Sequence, residues 1–292
     1  MLSVLIPTYN YNVYPLVFEL KQQLDNCKIS YEIIVIDDAS KSEKNAKNQQ
    51  VNNLQYCSFD ELKKNIGRAS VRNLLVSKSA YKWLLFLDAD VFPRAKEFIS
   101  IYLKELQRKE YEVIVGGIYY KRNKDSNKLR WKRGKKGEEQ LASKRNIFPY
   151  HNSSTGNFLI EREVFNSVGF DENLKGYGYE DLLFGKELKK SKISLIHIDN
   201  EVYHLGIDCN EFFVKKTKEA LNNLRMLITS GELSYYDTKI SYVYKKSKRL
   251  GLTFVLSKIN LCLEWITVKS SSLFFYNLFR LAYLHKIFKN TN

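Results

Sequence analysis

The sequence predicts an α/β fold, with a mostly parallel sheet flanked by helices and a C-terminal helical extension. Short apolar runs at residues 2–6, 32–36 and 83–87 are typical of strands that are buried on both faces. Stretches with apolar residues at helical spacing separate these runs, and this alternation of strand and helix favours parallel pairing. Beyond about residue 210 only helical periodicity remains, so the sheet is expected to end before that point.

Each predicted element follows from its local pattern of apolar, polar and glycine residues. In chain order we expect a strand at 2–6, a helix at 13–24, a strand at 32–36, a short helix within the polar run 41–50, a strand at 54–59, a helix at 66–79 and a strand at 83–87. A helix at 98–106, a strand at 113–119, a strand at 156–160, short helices from Arg162 and Glu180, and strands at 193–198 and 201–203 follow. Residues 121–145 are polar, basic and punctuated by glycine, which predicts a long mobile loop.

Length and composition indicate a globular protein of two parts. The 292 residues, 44% of them hydrophobic, are enough to bury a sizeable core. We predict an α/β domain at residues 1–209 and a basic helical region at 210–292. The four cysteines are scattered without metal-site spacing, which suits a reducing cytosol. The first ten residues lack a basic segment before their short apolar run, so no signal peptide is expected.

The positive charge is concentrated in two zones. The net charge is +15, and residues 121–145 hold eleven Lys and Arg against three acids, while residues 239–292 hold ten against one. Basic zones attract phosphate groups of nucleotides, nucleic acids or anionic lipids. A nucleic-acid-binding protein is one reading of this charge, but no helix-turn-helix, RNP or zinc signature accompanies it.

The C-terminal region contains two apolar stretches, at residues 252–268 and 270–288. Both are interrupted by charges, whereas a membrane-spanning helix needs about 20 mostly apolar residues. Two interpretations remain open at this point. The helices either lie on an anionic membrane surface or pack on the α/β body of the protein.

Carboxylates follow the buried strand at residues 83–87. Asp88 and Asp90 are separated by one residue, so their side chains point the same way if the strand geometry continues. Ligands of open α/β sheets bind at the carboxyl ends of strands, and paired carboxylates there can share a divalent cation. Two solvated acids in a loop would produce the same pattern. Further acids follow at Asp37 and Asp38 and at Glu180 and Asp181.

Six segments together resemble glycosyltransferase family 2, whose members have the nucleotide-sugar-binding GT-A fold. They are SVLIPTYN (3–10), EIIVIDDAS (32–40), NIGRASVRN (65–73), WLLFLDADV (83–91), TGNFLIEREVFNSVGFDE (155–172) and GYEDLLFGKEL (178–188). The resemblance covers about the first 205 residues, in the order and spacing of the family. It therefore implies a GT-A, Rossmann-like sheet and an inverting transfer of a sugar from a nucleotide-sugar donor.

The resemblance implies a nucleotide-sugar site. Pro7, Thr8 and Tyr9 match the residues that hold the nucleotide, and Asp38 matches the acid that binds the nucleoside, although Asp37 is an alternative. Asp88 is expected on the ribose side or at a metal-bound water. The remaining matches are Arg68, which approaches the nucleotide or its diphosphate, and Gly156 and Asn157, which line the sugar pocket. Arg72 reads equally well as a structural ion-pair residue.

The resemblance also implies a metal and a catalytic base. Asp90, the last acid of the DxD motif, and His204 match the ligands of Mn²⁺ or Mg²⁺, and an imidazole ligand favours Mn²⁺. Asp181 matches the base that takes the proton from the acceptor hydroxyl, and Glu180 is expected to bind the acceptor or donor sugar. Capping of a helix by these two acids is the structural alternative.

The predicted function is therefore a metal-dependent inverting glycosyltransferase. Family frequency favours a UDP-sugar donor, and the basic tail suggests a glycan or lipid-linked glycan acceptor at the inner face of a bacterial membrane, in surface polysaccharide synthesis. A nucleotidyltransferase would also place acids at strand ends, but it needs a glycine-rich phosphate loop near its start, where residues 7–10 read PTYN. The loop at 121–145 either closes over the diphosphate or is simply solvated.

Overall fold

The computed structural model describes residues 1–151, 154–174 and 176–289. Residues 290–292 of the predicted C-terminal region lie outside the described residues. The chain divides into two compact units: unit 1 comprises Met1–Lys121, Gly137–Leu174 and Glu180–Gly206, and unit 2 comprises Arg122–Lys136, Lys175–Tyr179 and Ile207–Asn292. The predicted domain boundary after residue 209 stays a prediction.

Among its described residues, unit 1 contains ten strands in two sheets. The strands are β1 (Leu2–Thr8), β2 (Tyr31–Asp37), β3 (Cys57–Glu61), β4 (Trp83–Leu87), β5 (Val91–Pro93), β6 (Val113–Val115), β7 (Ile118–Tyr119), β8 (Asn157–Glu161), β9 (Leu195–His197) and β10 (Val202–His204). The main sheet has the order β3-β2-β1-β4-β8-β6-β9, and a smaller sheet has the order β5-β10-β7. In the main sheet, β8 runs antiparallel to its neighbours β4 and β6, and the other pairs are parallel. The predicted fold class is confirmed.

Helices cover both faces of the main sheet. They are α1 (Tyr14–Cys27), α2 (Asn45–Asn48), α3 (Arg68–Lys78), α4 (Phe98–Arg108), α6 (Ala142–Arg145), α7 (Arg162–Val168) and α8 (Glu180–Lys190), with 3-10 turns at Gln49–Asn53 and Pro149–His151. α5 follows in the description of unit 2. One core packs α1 and α4 against one face of the sheet, and a second core packs α3, α7 and α8 against the other. The alternating apolar faces of the strands supply both cores.

Unit 2 is helical, as predicted for the end of the chain. It contains α5 (Leu129–Gly137), α9 (Asn210–Thr229), α10 (Lys239–Arg249), α11 (Leu252–Lys258), α12 (Asn260–Ser270) and α13 (Leu273–Lys289). Its core includes Leu129, Phe213, Leu263 and Phe279. None of the helices within the described residues is both long and apolar enough to cross a membrane.

The prediction of a mobile loop at residues 121–145 is wrong, because this segment forms α5 and α6. Leu129 is fully buried in the core of unit 2, and the Arg145 guanidinium is buried against backbone carbonyls, to which it donates hydrogen bonds at Ile198 (2.8 Å) and Gly116 (3.4 Å). Tertiary contacts of this kind stabilise helices whose own apolar pattern is weak.

The strand predicted at 113–119 is instead two strands in different sheets. Gly117 lies between β6 and β7 with φ +91°, a conformation that a residue with a side chain rarely adopts. A Cβ on Gly117 would also lie 2.6 Å from Arg145 Nη1. The turn at this glycine therefore transfers the chain from one sheet to the other.

Candidate active site

The carboxyl ends of β2, β1 and β4 meet at one edge of the main sheet because these strands are adjacent and parallel. The chain leaves β1 at Thr8, β2 at Asp37 and Asp38, and β4 at Asp88. The Asp38 backbone N–H donates a hydrogen bond to the Thr8 carbonyl (3.0 Å), which joins the first two strand ends. Thr8 is buried and Tyr9 is exposed. The edge thus gathers the acids that the sequence could only place one after another.

The two acids after β2 are engaged by backbone groups. The Asp38 carboxylate accepts hydrogen bonds from the N–H groups of Ile66 (2.7 Å) and Gly67 (2.9 Å), and Asp37 accepts from the N–H and hydroxyl of Ser40 (both 2.7 Å). Asp38 therefore fixes the residues that lead into α3. Its predicted contact with a nucleoside stays a prediction, and a carboxylate has lone pairs left for such a contact.

A compact cluster of opposite charges lies at the end of β4. Arg68 and Arg72 are four residues apart on α3, so both project from the same face. Arg72 Nη2 lies 2.7 Å from Asp88 Oδ1, and Arg68 Nη2 lies 3.8 Å from Asp88 Oδ2. Arg68 Nε is also 3.4 Å from Glu180 Oε1. Arg68 thus contacts both Asp88, which is predicted to bind the nucleotide, and Glu180, which is predicted to take part in catalysis.

The two arginines differ in their access to a ligand. The Arg72 side chain is only 1% exposed, whereas that of Arg68 is 40% exposed. Arg72 Nη1 and Nε have no hydrogen-bond partner among the described residues. Arg72 therefore supplies a fixed buried positive charge, and Arg68 presents its guanidinium to the solvent-accessible part of the cluster.

Charges within the cluster set the protonation of its acids. Burial opposes ionisation of Asp88, but the positive charges of Arg72 and Arg68 outweigh it and hold the pKa of Asp88 below its ordinary value. Asp181 responds in the opposite direction, because burial and then the charge of neighbouring Glu180 raise its pKa to about 6. The pKa values of two carboxylates at one site are thus shifted in opposite directions, which is the pattern expected when the two groups have different chemical roles.

Strand β8 brings further residues to the same edge. Thr155 donates a hydrogen bond from its hydroxyl to the Asp181 carboxylate. Gly156 lies against Asp88, since a Cβ there would be 2.8 Å from Asp88 Oδ2. Asn157 is fully buried, and its amide accepts from the Tyr102 hydroxyl (2.7 Å) and donates to backbone carbonyls at 2.9 Å. Its side chain therefore ties the start of β8 to α4 and to the backbone between β6 and β7 and between β9 and β10. Its predicted contact with the sugar stays a prediction.

Asp90 and His204 approach each other across the smaller sheet. His204 ends β10, which pairs with β5 directly after Asp90, and the Leu205 N–H donates to the Asp90 carbonyl (2.8 Å). His204 Nε2 lies 3.8 Å from Asp90 Oδ2. A Cβ on Gly206 would be 2.0 Å from Asp90 Oδ2, so only glycine leaves room for this carboxylate. The Tyr120 ring stacks on His204, with centroids 5.3 Å apart.

This pair has the composition of a partial metal site. The 3.8 Å separation allows one cation to contact both the carboxylate oxygen and the imidazole nitrogen. No group of three or more His, Cys, Asp or Glu side chains suited to a metal occurs within the ranges that the structure describes. Any ion held here would therefore need further ligands from a substrate or from water.

Comparison with known proteins identifies the enzyme class. The family model for glycosyl transferase family 2 matches residues 3–169, more than half of the chain. The chain belongs to this family. It is a glycosyltransferase, and the predicted resemblance and enzyme class are confirmed. No curated protein matches the sequence.

Solved structures with the same fold are distant in sequence. TarS from S. aureus, residues 1–349, is 16% identical with a TM-score of 0.54, over 100% of this chain and 92% of that chain. The same protein in complex with UDP-GlcNAc is 14% identical with a TM-score of 0.51, over 99% and 92%. The mannosyltransferase PcManGT from Pyrobaculum calidifontis, in complex with GDP-Man and Mn²⁺, is 14% identical with a TM-score of 0.57, over 99% and 86%. At these identities the likeness shows the fold alone.

The structure of this glycosyltransferase places four residues at the site that were not assigned to it from the sequence. They are Arg72, Thr155, Tyr120 and Gly206. A signal for Arg72 was present in the sequence, because it follows Arg68 by one helical turn. Nothing in the sequence pointed to Tyr120 or Gly206, whose partners are distant along the chain. His197, at the end of β9, is buried, and burial lowers its pKa to about 4.

Proposed function

We propose that this family 2 enzyme is a metal-dependent inverting glycosyltransferase that uses a nucleoside diphosphate sugar, with a UDP-sugar as the donor. The observation that carries the proposal is the cluster at the sheet edge, where Arg68 lies within 4 Å of both Asp88 and Glu180. A donor bound at this edge would have its diphosphate near two guanidinium groups and its sugar near Asp181. This arrangement suits cleavage of the bond between the sugar and the diphosphate.

The donor would lie along the ends of β1, β2 and β4. Pro7, Thr8 and Tyr9 would hold the nucleotide, and Asp38 would accept hydrogen bonds from the nucleoside. Asp88, kept ionised by the two arginines, would accept from the ribose. A UDP-GlcNAc complex of TarS and a GDP-Man complex of PcManGT support a nucleotide-sugar donor at this fold.

Asp181 would act as the general base. Its carboxylate takes the proton from an acceptor hydroxyl while that oxygen attacks the anomeric carbon, and the bond to the diphosphate breaks on the opposite face. A pKa of about 6 makes Asp181 a stronger base than an ordinary aspartate, and it remains ionised at neutral pH. Glu180 contributes to that pKa and is positioned to bind the acceptor or donor sugar.

Asp90 and His204 would hold the metal, for which the oxygen and nitrogen donors favour Mn²⁺ over Mg²⁺. The cation supplies positive charge beside the diphosphate. Arg68 and Arg72 provide fixed positive charge in the same region, so the protein shares in stabilising the leaving group. The Mn²⁺ complex of PcManGT supports this choice of ion.

The acceptor would be a glycan or a lipid-linked glycan in bacterial surface polysaccharide synthesis, at the cytoplasmic face of the membrane. The concentration of positive charge in residues 239–292 supports this location. Residues 1–209 would then form the catalytic domain, and residues 210–292 would form a basic helical region.

A panel of nucleotide sugars tests the proposal. The protein is incubated with each sugar with and without Mn²⁺, and thermal unfolding and donor hydrolysis are measured. We expect one UDP-sugar to raise the unfolding temperature by several degrees in the presence of Mn²⁺, since ligand at 100 times Kd adds about 2.7 kcal/mol. Asp90→Asn should remove the effect, whereas Asp60→Asn, which changes an exposed aspartate paired with Lys78, should not. No response to any nucleotide sugar refutes the proposal.

A further inference from the structure

Helix α12 is apolar around most of its circumference, although only one face of it is covered. Leu263 and Thr267 are buried and face the core of unit 2. On another face, Leu261 is 76% exposed and Trp265 is 64% exposed. Large apolar side chains that stand this far exposed on a helix next to other exposed apolar residues are unusual for a protein surface in water.

The segment before α12 is also rich in exposed apolar side chains. Large apolar side chains stand exposed from the end of α10 to the start of α12: Leu250, Leu252, Phe254, Val255 and Ile259. Leu252 and Val255 are three residues apart and so lie on one side of α11, and Ile259 follows directly after the helix ends. We call these residues, together with Leu261 and Trp265, the apolar surface of unit 2.

Cations accompany the apolar surface, and acids are nearly absent. The Phe254 ring centroid lies 5.1 Å from Lys258 Nζ and 5.9 Å from Lys289 Nζ. Lys248 and Arg249 are exposed at the end of α10, directly before the surface begins. Residues 239–292 contain one acid, Glu264, and its carboxylate is paired with Lys218 Nζ at 2.5 Å.

The combination of exposed apolar side chains with nearby cations indicates what the surface binds. A second copy of this chain docked through the same surface would bring the Lys248, Arg249 and Lys258 side chains of both copies together, and like charges disfavour that contact. Nucleic acid would satisfy the cations but would not bury leucine and tryptophan side chains. A bilayer with anionic headgroups satisfies both sets, since acyl chains accept the apolar residues and headgroups attract the lysines.

We propose that the apolar surface of unit 2 docks the enzyme on the surface of an anionic lipid bilayer, with α11 and α12 lying in the interfacial plane. The apolar side chains enter the headgroup region, and Lys248, Arg249 and Lys258 stay at the level of the phosphates. This binding is separate from sugar transfer and stands whether or not the proposed donor is correct.

Vesicle binding by the full chain tests the proposal. The protein is sedimented with phosphatidylcholine vesicles and with vesicles in which about one third of the lipid is phosphatidylglycerol. We expect binding to the anionic vesicles, with a blue shift of tryptophan emission that the Trp265→Phe variant lacks. The Leu261→Ser variant should lower the partition coefficient about tenfold.

Matched controls distinguish binding through this surface from nonspecific hydrophobic adsorption and from nonspecific electrostatic attraction to the vesicles. Ile147→Ser removes an apolar side chain that is 66% exposed in unit 1 and should leave binding unchanged. Lys248→Gln with Arg249→Gln should weaken binding about fivefold for each charge, whereas Lys104→Gln with Lys189→Gln in unit 1 should have a smaller effect. All variants should keep the parent's unfolding temperature, which verifies that they fold.

Three outcomes overturn the proposal. The first is absence of binding to anionic vesicles, and the second is equal loss of binding in the Leu261→Ser and Ile147→Ser variants. The third is self-association in solution that the Leu261→Ser variant abolishes, because it would show that a second copy covers the surface. Donor hydrolysis without vesicles should match the parent in every variant, so failure here is distinguishable from failure of the proposed function.

Discussion

Replacing Asp181 with asparagine separates the two explanations for this residue, a general base or a helix-capping acid. Asp181 lies in the first turn of α8, where the helix dipole favours a negative charge by about 0.3–1 kcal/mol. Burial and Glu180 act against that charge and raise the pKa of Asp181 from 3.8 to about 6. This rise corresponds to about 3 kcal/mol between the ionised and protonated forms, so the ionised carboxylate is a net cost to the fold.

The Asp181→Asn variant should therefore be more stable than the parent above pH 7, by about 1–3 kcal/mol. Between about pH 4 and pH 6 the folded parent binds a proton that the unfolded chain has released, so its free energy of unfolding falls as the pH rises. The variant lacks this titration. The stability gain should thus be absent near pH 4, grow to about pH 6 and then stay constant.

Activity should move in the opposite direction from stability. Loss of the base should lower kcat by about 10²–10⁴-fold while Mn²⁺-dependent donor binding persists. Urea unfolding at several pH values and steady-state kinetics provide the two measurements, with Asp171→Asn, a change of an exposed aspartate, as the matched control. A variant that is less stable at pH 8 and retains its turnover would show that Asp181 caps α8 and is not the base.

Three further predictions concern the surroundings of this residue and the metal pair. Thr155→Val removes the hydroxyl that donates to Asp181, which should raise the pKa of that carboxylate and move the acid limb of the kcat/KM profile to higher pH. Arg72→Met removes the positive charge that most favours the ionised form of Asp88. Calorimetry should therefore show nucleotide binding that is at least tenfold weaker, while the preference among donor sugars stays the same. Gly206→Ala places a Cβ 2.0 Å from Asp90 Oδ2 and should weaken Mn²⁺ binding about tenfold in a metal titration. Mn²⁺ affinity equal to that of the parent would refute Asp90 and His204 as the metal ligands.

The sequence alone was sufficient for the fold class and for most of the elements of unit 1. Apolar runs at residues 2–6, 32–36 and 83–87 became adjacent parallel strands, because strands buried on both faces have a pattern that differs from that of helices. The helices of unit 2 beyond residue 209 were likewise visible from periodicity. The segment 121–145 was mispredicted because its helices depend on a few tertiary contacts, such as the burial of Leu129, and charged residues hide the pattern.

The sequence also named the acids of the site, since Asp88, Asp90, Glu180 and Asp181 stand in motifs at the ends of predicted elements. It could not assign their protonation. Asp88 directly follows β4 and Asp181 lies in the first turn of α8, yet the pKa of Asp88 is lowered and that of Asp181 is raised. Burial opposes the ionisation of both carboxylates. At Asp88 the charges of Arg72 and Arg68, which approach through space, outweigh burial, whereas at Asp181 the charge of Glu180, its neighbour in sequence, adds to the effect of burial.

What the sequence determined by itself is the set of residue types and their order, because local patterns and motif spacing are properties of the chain. What only the tertiary structure decided is which charges meet. Arg68 lies between Asp88 and Glu180 because α3 and α8 pack on the same face of the sheet, although 112 positions separate Arg68 from Glu180 along the chain. Electrostatic energy depends on distance and burial, and neither quantity exists until the chain has folded.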